Sequence, residues 1–158
     1  MNNMEIAYQT IKVSVQETAP NTFTQSTVNL KDYLSQEELD KGAWLHSIAS
    51  VTSAPGQATA NTFGAIQGQV TKTTETALLD FDNDNLLYRK NLYMNSGLAA
   101  GCMNFLSSHV LPKDGIIEDT QVEWFERSAP KLFIAVHSAD QAAVRKVYFA
   151  LKIAKIIG

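Results

Sequence analysis

Three acids at alternating positions in the 158-residue chain, Asp80, Asp82 and Asp84, have a spacing that suits a hard cation. Carboxylates at that spacing open the loops that hold calcium. The match stops there, because the sixth loop position falls on Asn85 where glycine is needed and the twelfth on Asn91 where glutamate is needed. The stretch reads as a polar turn whose Asx side chains bond nearby backbone. Ser128-Ala129-Pro130-Lys131 satisfies the S-x-x-K spacing in which a lysine activates a serine on the next helical turn. Pro130 pushes Ala129 out of the helical region, and the companion motifs of that chemistry are missing.

Cys102 and His109 lie seven apart and would share a helix face, the arrangement of a thiolate and its base. Gly101, Met103 and Phe105 put only neutral groups beside the thiol, so Cys102 reads as a small buried side chain. As the lone cysteine, it also excludes an internal disulfide. His46 and His137 have no histidine or cysteine at ligand spacing. The acid pairs Glu123 with Glu126 and Glu118 with Asp119 read as exposed strand charges. Glycine-rich phosphate loops, nucleophile elbows and zincin motifs do not occur. The sequence therefore assigns no catalytic, cofactor-binding or metal-ligating residue, names no cofactor, and predicts a protein that is not an enzyme.

The elements that would position any site are mostly extended. Ile11, Val13 and Val15 alternate with Lys12, Ser14 and Gln16, the period of a half-buried strand. Ile6 and Tyr8 are out of phase with that row, which predicts a bulge near Gln9 and Thr10. After Pro20-Asn21, residues 22–28 are rich in β-branched side chains and read as a second strand, hairpinned onto the first. Ser35 with Glu38 forms a capping box, flanked by a Leu34/Leu39 staple, so a helix starts there and ends near Gly42 or continues through Trp44, Leu45 and Ile48. Residues 50–68 are small and polar around Pro55-Gly56 and predict a long flexible loop.

Residues 69–81, with Ala77, Leu79 and Phe81 on one face, read as a strand that turns at 82–85 into another through Leu86, Tyr88, Leu92 and Met94. Leu98, Cys102, Phe105, Leu106 and His109 fit a helix ended by Pro112. Ile116, Val122 and Trp124 fit a strand. Residues 131–137 are apolar on both faces and predict a central strand, and 142–157 a strand hairpinned onto it. The sum is a mainly β chain, an antiparallel sandwich or jelly-roll-like sheet with one or two short helices, in a single domain spanning 1–158.

With a net charge of −3, the chain lacks the overall basic balance of a dedicated nucleic-acid binder. Its last fourteen residues are the exception, carrying Arg145, Lys146, Lys152 and Lys155 and no acid. The opening MNNMEIAYQT has neither a basic start nor an apolar run, which predicts no signal peptide and synthesis in the cytoplasm. The apolar run from Val147 to Ile157 contains two lysines and is too short to span a bilayer.

These features together point to a self-assembling structural protein, a capsid, coat or accessory subunit of a viral or phage virion. Its partners would be copies of itself (a homo-oligomer) and other virion proteins, with residues 1–5 and 50–68 as arms and a weak nucleic-acid contact through the basic C-terminal segment. The other class that fits is a β-scaffold binding module for a protein or carbohydrate, with Trp44, Tyr88, Tyr93 and Trp124 as its aromatic contacts.

Overall fold

The computed structural model describes residues 5–52, 66–95, 102–104, 130–139 and 144–158. In that part, the alternating rows of the sequence become eight strands: β1 (Ile6–Gln16), β2 (Thr24–Asn29), β3 (Ala43–Thr52), β4 (Ile66–Thr71), β5 (Leu86–Asn95), β6 (Cys102–Asn104), β7 (Lys131–Ser138) and β8 (Lys146–Ile156). A 3-10 turn (Leu30–Asp32) and one short helix, α1 (Gln36–Lys41), separate β2 from β3. The strands form two antiparallel sheets, ordered β1-β8-β3 and β2-β7-β4-β5-β6. First pairs with last, second with next to last, and β4 with β5. A long antiparallel ribbon wrapped on itself produces this order, which is that of a jelly roll. In a full wrap the third strand would pair with the sixth, whereas β6 here extends the larger sheet beside β5.

The inward rows of both sheets meet in one core. Ile11 and Val15 of β1 and Val147, Phe149, Leu151 and Ile153 of β8 face Val28, Leu132, Ile134, Val136, Ile66 and Val70 of the other layer. Each such side chain contributes about 1.5–3 kcal/mol by leaving water. The layers touch closely at Gly68, where a Cβ would stand 3.1 Å from the Phe149 ring and 3.2 Å from Val147. Tyr88 of β5 reaches across to share a hydrogen bond between its hydroxyl and that of Ser50 on β3, and its ring meets Phe149 edge-on at 6.4 Å.

One end of the sandwich is closed by α1. The capping box forms as expected: the Glu38 N–H donates to Ser35 Oγ at 3.1 Å and the Ser35 N–H donates to Glu38 Oε1 at 3.0 Å. Leu39 and Leu34 are buried beneath it. Gly42, at φ 125°, adopts a backbone that other residues resist, so the helix stops and β3 begins at Ala43. Of the two lengths open in the sequence, the shorter is found, and Trp44, Leu45 and Ile48 belong to a strand.

Several expectations about pairing are corrected. β1 runs in unbroken register with β8 from Ile6 to Gln16, without a bulge, because Ile6 and Tyr8 lie on the outer face instead of joining the buried row. β2 pairs with β7 and not with β1, since the corner at Pro20-Asn21 carries the chain into the other sheet. β8 is a strand, yet it lies between β1 and β3 and not against β7. Residues 72–85 are not a strand; Ala77 and Phe81 are exposed. Both ends of the loop expected at 50–68 are strand instead, because β3 extends to Thr52 and β4 begins at Ile66. Cys102–Asn104 is extended, not helical. The strand expected at 116–124, most of the helix around His109 and the centre of the long loop lie outside the described residues.

Candidate functional site

None of the eight strands contains an aspartate or glutamate, so the acids of the described chain sit in its connections. One connection gives the sandwich two unlike sides. Residues 72–85 lie across the outer face of the larger sheet, held by outward side chains of its strands. Gln69 donates to the Ala77 carbonyl at 3.2 Å and accepts from the Leu79 N–H at 2.8 Å. Arg89 donates to the Leu79 carbonyl at 2.7 Å while its other nitrogens donate to Gln67. Gln25 accepts from the Glu75 N–H at 2.9 Å. Through this segment Glu75, Asp80, Asp82 and Asp84 come to the side that also carries Lys72, Arg89 and Lys131.

The outer face of the smaller sheet has no such cover built from described residues and no carboxylate on any of its strands. Alternation turns Tyr8, Thr10, Lys12 and Ser14 of β1 outward, with Lys146, Tyr148, Ala150 and Lys152 of β8 beside them. Tyr8 is 48% exposed and Tyr148 41%. The Lys152 ammonium sits 4.5 Å from the Tyr8 ring and that of Lys146 sits 5.0 Å from Tyr148. His46, at the β3 bulge, meets Tyr8 edge-on at 5.0 Å. Of the four basic residues read at the C-terminal end, Lys146 and Lys152 reach this face. Lys155 points inward instead and donates to the Glu38 carboxylate and to Gln9 Oε1. The Lys155 hydrogen bond first, and then the Ser35 N–H, hold the Glu38 carboxyl below its ordinary value of 4.5.

Between the two sides the sheets end in edges that no described strand covers. β1 pairs only with β8 and β2 only with β7 among the described residues. A groove of about 270 Å³ runs between these two edges, rimmed by Lys12, Ser14, Ser26, Asp32 and Tyr33. At the corner where β1 turns into β2, Glu17 is 2% exposed. Its carboxylate accepts from Thr22 N–H at 3.0 Å, Ser138 N–H at 3.1 Å, Ser138 Oγ at 2.6 Å and Arg145 N–H at 2.9 Å. One side chain thus ties together both sheets. Extending the row 11, 13, 15 by one step places residue 17 inward, which is the signal that the sequence held for it.

The motifs weighed in the sequence do not converge. Asp80 and Asn83 build a turn in which the Asn85 N–H donates to Asn83 Oδ1 at 2.9 Å. Among the described residues no three histidines, cysteines or acids gather to hold a metal. His137 lies 3.1 Å from Asn21 Oδ1, far from His46 on the opposite sheet. Lys131 is exposed at the start of β7, and Ser128, the Cys102 side chain and the acids at 118–126 lie outside the described residues. Trp44 and Tyr88, two of the four aromatics offered for a binding module, are 5% and 4% exposed and pack in the core. Burial pushes the Tyr88 phenol up to about 12, against the lowering effect of its bond to Ser50. Among the described residues no helix is long and apolar enough to cross a membrane.

No protein-family model matches the chain, and no curated protein does. Solved structures do resemble it. One from Desmodium yellow mottle tymovirus matches with a TM-score of 0.48 at 11% identity over 99% of this chain and 89% of its own. One from turnip yellow mosaic virus matches at 0.43 and 13%, over 98% and 95%. The decameric BFDV capsid protein matches at 0.41 and 11%, over 97% and 99%.

Proposed function

We propose that this protein is a non-enzymatic, self-assembling structural subunit of a virion shell. The observation that supports it is two-sidedness: one outer face bears lysines and no strand carboxylate, the other is overlaid by an acidic segment, and between them lie strand edges unpaired among the described residues. A wall that separates packaged polyanion from the outside needs that polarity, and its copies need edges with which to join. β1 is suited to joining, since it is eleven residues long and its register is unbroken. Long, flat edges recruit neighbouring chains. The basic C-terminal segment, as β8, supplies the contact with nucleic acid, and other virion proteins are further partners.

Light scattering together with electron micrographs of the same purified sample tests this reading. Closed or ring-shaped particles many times the mass of one chain are expected. A sample that remains monomeric at high concentration, with and without nucleic acid, overturns it.

A further inference from the structure

We infer that the outer face of the β1-β8-β3 sheet is a binding platform for single-stranded nucleic acid. The inference rests on the shell reading for the class of its partner, while the surface itself is argued from its own residues.

Large aromatic side chains on the water side of a sheet give up the burial that usually keeps them inside. Tyr8 and Tyr148 do so, and each has a lysine beside it, Lys152 and Lys146. The ring offers a flat surface to a base, and the ammonium reaches the phosphate that follows. That pairing of stacking with positive charge is how proteins hold single strands without reading their sequence.

The register sets the spacing. Tyr148 lies opposite Ser14, and Tyr8 lies six residues back along β1. At about 3.4 Å per residue the two rings stand roughly 20 Å apart, the reach of a few extended nucleotides. Between them the row Lys12, Ala150, Ala49 crosses all three strands. Two alanines leave a shallow floor on which a sugar-phosphate chain can lie close to the sheet, with Lys12 at its margin. None of the three strands carries an acid that would repel phosphate. A duplex keeps its bases stacked on one another and would leave both tyrosines unused, so the platform selects unpaired strands.

Fluorescence anisotropy with a labelled twenty-nucleotide oligothymidine, at protein concentrations where scattering reports one chain, tests the inference. Wild-type protein is expected to bind it more tightly than a duplex of equal length. Tyr8→Ala and Tyr148→Ala are each expected to weaken binding at least about fivefold, and Tyr8→Phe and Tyr148→Phe, which keep the ring, to restore it. Lys12→Gln with Lys152→Gln is expected to flatten the slope of log affinity against log salt by about 1.4, two phosphate contacts at roughly 0.7 each. Thermal melts of each variant check that the fold persists.

Equal or tighter binding of duplex, affinity unchanged in folded alanine variants, or binding confined to anionic lipid vesicles would each overturn the platform. Alanine variants that lose oligonucleotide binding yet still form particles support it. Oligonucleotide binding by a protein that never assembles would sink the shell reading and leave the platform standing.

Discussion

On the β4-β5 side of the sandwich, Gln67, Gln69 and Arg89 point outward and are occupied by one another and by the backbone of residues 77–79. On the β1-β8 side, Tyr8, Lys12, Lys146, Tyr148 and Lys152 point outward, and the two tyrosine rings meet lysine ammoniums and the His46 ring on the surface itself. Both layers bury the same kind of aliphatic row. They differ in what the outward row is able to grip: side-chain amides carry both donors and acceptors and can fasten a passing backbone, whereas lysine and tyrosine cannot chelate a peptide in that way. A polar outward row in a sheet therefore has two fates, to be covered by the chain's own connection or to remain open for a partner.

The contrast should collapse when the shared core is emptied. Phe149→Ala removes the ring that meets both Gly68 and Tyr88, and a loss of about 3–5 kcal/mol is expected in urea melts, with hydrogen exchange rising on both sides at once. Gln69→Ala should separate the sides instead. It strips two hydrogen bonds from the cover, destabilises by about 1–3 kcal/mol, and raises exchange in 72–85 while β1 and β8 stay protected.

Alkali tests the link between the layers. The buried Tyr88 stays neutral until about pH 12, while an unfolded tyrosine ionises from its ordinary value of 10.0. Its contribution to stability is therefore complete below pH 10 and is lost as pH rises towards 12. Tyr88→Phe should lower stability near neutral pH by about 1 kcal/mol, through the unpaired Ser50 hydroxyl, and flatten the decline measured between pH 10 and 12.

Glu38→Gln carries the smallest expected effect, under about 1 kcal/mol for a single ion pair whose carboxylate is 32% exposed. Because the Glu38 carboxyl is held below 4.5, the native ion pair stabilises above that pH and fades as the pH falls through the folded value. Urea midpoints of wild type and variant should differ at pH 7 and converge in acid. A difference that grows in acid would assign Lys155 another partner.

Much of this was legible because alternation is local. Ile11, Val13 and Val15 declare a strand, Ser35 with Glu38 declares a helix start, and the doubly apolar run at 131–137 declares a central strand, which β7 is, between β2 and β4. Partners were not legible, because register is decided between rows far apart in the chain. Nearby segments were expected to hairpin, while the wrap sends β2 to β7 and β8 to β1. Tyr8 misled for a related reason. An aromatic out of phase with a buried row was expected to be pulled inside by a bulge, but Lys152 and His46 hold it on the surface. The basic end could be seen in the sequence; that two of its lysines would join Lys12 from the other end required the β1-β8 register.

Pairing β1 with β8 also dictates when the molecule can exist. The Lys155 ammonium and Gln9 that meet in the finished fold are 146 positions apart. At ribosomal speeds of about 5–20 residues per second, β1 waits on the order of ten seconds for the strand that completes its ladder. Such high contact order slows closure as well. During that interval a nascent chain exposes an eleven-residue strand with both edges unsatisfied, and crowded polysomes are where premature cross-pairing between neighbouring chains would begin.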